Sequence, residues 1–339
     1  MSYIRHGYLL GLCLFITTFL GCTIVDVDNR VQLSSGEIFV LDIARNNVNR
    51  FAQKNVFYRF PIWSSDGSKL AYRADNNIHY VDVQSGFSEE LVKSEFSTFF
   101  SVNYDWSPDG KELAYLEEND NADLTLNIIN IETKQVIKSI FIGGNLFYSA
   151  IDWSPRGDYV IIYSGNKDAR LVDLRNETVE VIEGIGGSIS IAWCPNGEAF
   201  AYSTVAPQEL LKYDTSLYNV GTKERLEITD LDASQISWSE DGTTMAFVSR
   251  LDNIYHLYTL EIGAGPVEVF TRNDKIRLLG WSSDDSELLF INPDSKRLSS
   301  ITLETGEIKN LSRRSFQESN WIRLSPDKTR LVFGIQIFS

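Results

Sequence analysis

The chain is poor in cysteine, histidine and positive charge. Three Cys in 339 residues exclude a disulfide-dense scaffold and a zinc cluster. Three His leave few candidates for a His-dependent triad. Lys and Arg number 31 against 46 acids, a net charge of −15. Phosphate backbones call for a basic surface, so nucleic acid is not an expected partner. A membrane-spanning run is missing too: the apolar stretch Leu9–Leu20 has twelve residues, against roughly 20 for a spanning helix. No segment repeats its apolar residues at the helical period. What remains is a globular composition, 43% hydrophobic and 12% aromatic, long enough for a large core and, by length alone, for two domains.

The short apolar run is an address. Arg5 is the only formally charged side chain up to Cys22. LLGLCLFITTFL (9–20) then leads to Gly21-Cys22 and reads as the apolar region of a signal peptide. Phe19-Leu20-Gly21-Cys22 resembles the bacterial lipobox, with Phe19 in place of the usual Leu and Leu20 bulkier than usual. The resemblance implies that the Cys22 thiol takes a diacylglycerol, that cleavage frees its amine, and that a further acyl chain such as palmitate follows. Two or three acyl chains hold a protein at a membrane where one does not, at about 0.8 kcal/mol per buried CH₂. The alternative is an ordinary cleaved signal with Cys22 incidental. Thr23 stands where an Asp favours inner-membrane retention. By the same resemblance the protein is expected on the outer membrane facing the periplasm, or on the outer face of the single membrane of a Gram-positive host. Residues 1–21 are thus signal peptide, and 22–35 are the lipidated Cys and a tether reaching at most roughly 45 Å. Processing leaves Cys22 and Cys194, so no intramolecular disulfide is expected.

The rest of the chain repeats. Six of the seven Trp begin one word: Trp63 (WSSDG), Trp106 (WSPDG), Trp153 (WSPRG), Trp193 (WCPNG), Trp238 (WSEDG) and Trp281 (WSSDD). A seventh copy, LSPDK, puts Leu324 in the Trp place, and Trp321 is out of phase. The spacings are 43, 47, 40, 45, 43 and 43 residues. Each word precedes an apolar run such as LAY (70–72), VIIY (160–163) or LLF (288–290). Ser-Pro-Asp-Gly is a turn: Pro presets φ, Asp bonds locally, and Gly accepts positive φ. Flanking apolar segments make it a hairpin. Asp285 and Lys328 replace the Gly, so those two turns are expected to be looser or of another type. About twenty residues on comes a third strand, as in IHYVDV (78–83) or LYTLEI (257–262), then a turn and a weaker fourth strand.

Four strands in about 43 residues is the period of a β-propeller blade. The words resemble the TolB-type, WD-like propeller repeat, and WSPDGKELAY (106–115) matches its consensus almost residue for residue. The resemblance covers residues 36–339. The chain begins on an outer strand pair and ends on an inner pair, with seven pairs of each kind. The expected fold is therefore all-β: one seven-bladed propeller of four-stranded antiparallel blades, closed by N-terminal outer strands pairing with C-terminal inner strands. Closure also removes exposed sheet edges. A thirteen-residue tether cannot supply the α/β domain that TolB proteins carry, so the resemblance implies a lipoprotein with a TolB-like propeller rather than a TolB orthologue, and TolB partners do not carry over.

Little in the sequence points to catalysis. His79 and His256 fall in third strands and read as packing or surface residues. Cys194 stands where other copies have Ser and reads as a Ser substitute rather than a nucleophile. The acidic run Glu117–Asp123 lacks the glycine and distal Glu of a calcium loop and reads as a solvated connection. No cofactor is expected. Asp105 and Asp152 each precede a Trp on an innermost strand and could line the channel, holding a cation or water. Aromatics are unevenly placed. Phe57, Tyr58, Phe60, Phe96, Phe99, Phe100, Tyr104, Phe147 and Tyr148 lead into the first three inner strands, and the later counterparts SISIAW, ASQISW and IRLLGW have none beyond the Trp. Either these pack between blades or they form a binding patch. Three functions compete: an envelope interaction scaffold, expected to be monomeric and to bind envelope proteins; a glycan- or peptidoglycan-binding module; and a metal-dependent lactonase or lyase with channel carboxylates.

Overall fold

The computed structural model describes residues 36–51, 58–74, 77–93, 103–144, 150–164, 167–185, 190–205, 213–316 and 319–336. Every regular element among them is a strand, and the strands form seven four-stranded antiparallel sheets. Blades 1 to 6 occupy 58–92, 104–144, 150–182, 190–229, 234–272 and 277–315. Blade 7 is composite. Its sheet runs Asn47–Phe51, Gly36–Asp42, Arg330–Gln336, Ser319–Leu324. Gly36–Asp42 pairs in unbroken register with Arg330–Gln336, placing Phe39 opposite Phe333 and Leu41 opposite Leu331. The ring closes as the strand count predicts.

The repeated word is the hairpin between the first two strands. In blade 1 the Ser64 hydroxyl donates to Asp66 Oδ1 at 2.6 Å and accepts from the Lys69 amide at 2.9 Å. Ser107, Ser239, Ser282 and Ser325 make the same pair of bonds. The glycine adopts φ near +70° and donates its N–H to the Ser carbonyl, as Gly67 does to Ser64 and Gly110 to Ser107. Asp285 and Lys328 keep the same turn type, which corrects half of the expectation, and the Asp285 turn alone is looser, with the longest closing bond of the seven. They take φ of 55° and 60° and donate to the carbonyls of Ser282 at 3.2 Å and Ser325 at 2.9 Å. The Ser–Asp bonds hold the turn even where a side chain must sit in the left-handed region. Cys194 keeps the Ser place in the backbone turn, its N–H donating to the Ala199 carbonyl and its carbonyl accepting the Gly197 N–H, while its buried thiol turns to the Gly242 carbonyl of the next blade at 3.8 Å.

The apolar triplets are continuous rather than alternating because second strands are covered on both faces. Leu70, Ala71, Phe200, Phe247, Phe290 and Phe333 are fully buried. Seven apolar clusters result, one at each seam between adjacent blades. Trp321, out of phase in the sequence, lies on the innermost strand of blade 7 and packs edge-on against Phe60 of blade 1. Gly334 must stay a glycine beneath it, since a Cβ there would meet Trp321 Cε3 at 2.5 Å.

Candidate functional site

The seven innermost strands surround the central channel, and the Trp of each word sits at a seam. Its indole N–H reaches back to the preceding blade. Trp63 donates to the Arg323 carbonyl, Trp106 to Ile62, Trp193 to Asp152, Trp238 to Ala192 and Trp281 to Ser237, at 3.0–3.3 Å. Each acceptor is the residue just before the preceding blade's Trp, or before Leu324. The repeated Trp is therefore a stitch between blades, and the residue ahead of it belongs to a ring around the channel. That ring reads Ile62, Asp105, Asp152, Ala192, Ser237, Gly280 and Arg323.

One seam differs. Trp153 Nε1 is buried with no acceptor. The Asp105 carboxylate joins blades 2 and 3 instead: Oδ1 accepts from the Trp106 amide at 2.9 Å, and Oδ2 accepts from the Trp153 amide at 2.8 Å. Asp152, the next member, faces the Tyr163 hydroxyl. Tyr163 pairs with Ala150 across the hairpin. Asp152 Oδ2 is buried and has no hydrogen-bond partner.

Asp105 and Asp152 are half-buried residues whose carboxyls are ringed by protein. Loss of water pushes both acids upward. For Asp105 the amides of Trp153 and Trp106 oppose the shift. For Asp152 the neighbouring Asp105 charge adds to it. Burial and the neighbouring charge both favour the protonated form of Asp152, whereas the two amides favour the ionised form of Asp105. Burial also pushes the Tyr163 and Tyr104 hydroxyls up. Arg323, exposed in the ring, lies close enough to favour the ionised form of all four groups.

Asp105 and Asp152 thus come together on adjacent blades. Arg323 and Tyr163 complete the cluster and escaped sequence reasoning. The signal for Arg323 was present, since it precedes Leu324 as Asp105 precedes Trp106. Tyr163 was hidden at the end of an apolar run.

The aromatic candidates fare differently. Phe57, Phe96, Phe99, Phe100, Phe147 and Tyr148 lie outside the described residues, as does the Tyr58 side chain. Phe60 is half-buried, with φ of 54° at a bulge. Tyr104 is a correction: it is fully buried at the seam of blades 1 and 2 and spends its hydroxyl on the Phe60 carbonyl at 2.6 Å. It is core, not surface.

His79 stacks on Tyr72 and lies 3.9 Å from Glu90. His256 stacks on Tyr258 and meets Glu268 at 2.6 Å. Burial raises the Cys194 thiol, away from the thiolate a nucleophile needs. The Glu117–Asp123 run is a tight connection in which Asn119 Oδ1 accepts the amides of Asn121 and Asp123. Among the described residues no three His, Cys, Asp or Glu cluster as metal ligands. Cys22 lies outside the described residues.

Residues 24–136 match the family described as the dipeptidyl peptidase IV N-terminal region. Over 225 residues the chain is 24% identical to a component of eukaryotic translation initiation factor 3 of Xenopus laevis, covering 60% of this chain and 32% of that protein's length. A TolB-assigned structure from Agrobacterium tumefaciens superposes with a TM-score of 0.53 at 15% identity, covering 89% of this chain and 98% of that one. The propeller of this chain is similar in fold to that of the TolB-assigned structure. An oligogalacturonate lyase solved with manganese superposes with a TM-score of 0.61 at 14% identity, covering 81% and 88%. At such identities the likeness is one of fold, and TolB-like propellers share that fold with an enzyme.

Proposed function

We propose that this chain is a lipid-anchored propeller of the bacterial cell envelope that serves as a protein-interaction scaffold. The anchor is argued from the apolar run that ends at Gly21-Cys22. The scaffold reading is carried by one observation on the rim. Large apolar side chains stand exposed on or beside the outer strands of blades 1 to 6, and they concentrate on blade 2, where Val136, Ile137 and Phe141 share one strand. Isolated exposed apolar residues are ordinary, but a group of them marks a contact surface. A closed ring of seven packed seams gives such a surface a rigid support.

The test combines fractionation and crosslinking in envelope membranes. Wild-type chain is expected in the membrane fraction with crosslinked protein partners, and Cys22→Ala in the soluble fraction, unprocessed at residue 22. A Cys22→Ala chain that stays membrane-bound overturns the anchor. A wild-type chain without partners overturns the scaffold.

The manganese in the neighbouring lyase raises a second reading, a metal-dependent enzyme. The ring residues do not fit it. Both Asp105 oxygens accept backbone amides, Arg323 adds positive charge, and Asp152 Oδ2 is the uncommitted carboxylate oxygen of the pair. Hard divalent cations want about six oxygen ligands.

A further inference from the structure

We propose that the groove between blades 2 and 3 docks an acidic, apolar peptide segment of a partner protein. The proposal rests on the scaffold reading and names the chemistry of its partner.

The seam of blades 2 and 3 opens at the face that carries the word hairpins. A groove of about 270 Å³ lies there, with Ile128, Ile137, Trp153 and Leu174 among its walls and Lys138, Arg156 and Arg175 on its sides. Ile137 arrives by a bulge. Val136 pairs with Ile129 and Lys138 with Ile128, so Ile137 has no cross-strand partner. A bulge re-aims a side chain in this way, and here it leaves Ile137 half in solvent and half in the groove. The strand that carries it, Val136–Gly144, is nine residues long and forms the outer edge of its sheet.

Charge selects the occupant. The chain as a whole carries −15, yet this groove holds three cations against Glu112 and Asp158. Lys138 is committed to the Leu174 carbonyl and Glu177 at 2.7 and 2.8 Å. Arg156 is loosely held, 3.7 Å from Asp158 and 3.5 Å from Glu198. Arg175 lies close enough to Asp173 to favour that carboxylate's charge, and it lines the groove beside Leu174. An occupant with an aliphatic side chain covers the Ile137 and Leu174 surface, and a carboxylate beside it meets Arg175 and Arg156. Bidentate guanidinium–carboxylate pairing gives such a contact its orientation. A basic segment would meet like charge.

The experiment uses the full chain in detergent micelles and fluorescein-labelled peptides of alternating Glu and Leu, Glu and Ser, and Lys and Leu, read by fluorescence anisotropy. The Glu-Leu peptide is expected to bind, and the other two at least tenfold more weakly. Arg175→Glu and Ile137→Ser are each expected to weaken Glu-Leu binding at least tenfold, with unchanged thermal midpoints. Val267→Ser, on the exposed outer strand of blade 5, should leave it unchanged. No binding of the Glu-Leu peptide, equal binding of Lys-Leu, or equal binding by the groove variants overturns the proposal. Envelope crosslinking of the doubly substituted chain separates the two readings. Partners that persist overturn the groove and leave the scaffold standing; partners lost from the variant alone support both.

Discussion

Compare the seam between blades 5 and 6 with the seam between blades 2 and 3. In the first, Trp281 is buried and its indole donates to the Ser237 carbonyl at 3.0 Å. In the second, an equally placed Trp153 has a buried, unpaired indole N–H, and a carboxylate from blade 2 holds the Trp153 amide. The apolar packing is alike at both seams. The polar stitch differs: one is neutral and insensitive to pH, the other is a charge held away from water beside a second acid. A repeat can thus keep its fold while one copy exchanges a structural bond for an ionisable one. That copy adjoins the groove and the most apolar stretch of the rim.

The largest effect should come from breaking the ionic stitch. Asp105→Ala leaves the Trp106 and Trp153 amides without an acceptor, although Ala192 occupies the same ring position two blades on. Hydrogen bonds to charged groups are each worth about 1.5–3 kcal/mol, and relief of the desolvated charge offsets part of that. A loss of about 3 kcal/mol in urea unfolding is expected. A loss below about 0.5 kcal/mol would mean that Asp105 bridges nothing.

A pH series sharpens the same comparison. Asp152 is raised from its ordinary 3.8 to about 7 in the folded chain. Folding therefore takes up a proton between those values, so its contribution to stability is full below about pH 4 and is lost as pH rises through about 7. The expected loss between pH 5 and 8 is on the order of 2 kcal/mol. Asp152→Asn should be the more stable chain at pH 8 and should flatten that part of the profile. An unchanged slope in the variant would assign the dependence to Asp105, which burial also raises.

The indoles give a smaller contrast. Trp281→Phe deprives the Ser237 carbonyl of its donor, whereas Trp153→Phe removes a buried donor that had no acceptor. Both lose ring volume. Trp281→Phe should cost about 1 kcal/mol more than Trp153→Phe, and equal costs would show that the stitch adds nothing to packing.

The blades were legible because one large residue marks each period and a turn with its own chemistry follows it. The closure was legible from which strand pair stands at each end. The site was less so. Asp105 and Asp152 could be named from their place before Trp, but their coupling depends on neighbouring blades, which a linear pattern does not display. Arg323 was masked by the degenerate seventh word, where Leu replaces the landmark. Tyr104 shows the converse: an aromatic near a loop looks like surface in sequence, and only the packing of blade 1 against blade 2 reveals it as core. Ile137 depends on a bulge, and a bulge is a matter of register between strands rather than of either strand alone.

The seventh word also supplies the smallest test, and the one in which the sequence rule and the structure collide most directly. Lys328 occupies the left-handed position that glycine fills in five other blades, with φ of 60° and the same hydrogen bond to the Ser carbonyl. A side chain there pays a steric penalty that glycine avoids, while glycine adds entropy to the unfolded chain. The first term is the larger at φ near +60°, so Lys328→Gly should stabilise by about 0.5–1 kcal/mol. Asp285→Gly should gain less, because Asp tolerates this conformation better than Lys, and because Asp285 Oδ2 accepts the Glu240 amide at 2.8 Å across the seam. Glycine would forfeit that bond. A ranking with Asp285→Gly above Lys328→Gly, measured by urea midpoints at one pH, would show that the inter-blade bond contributes nothing and that turn strain alone sets these positions.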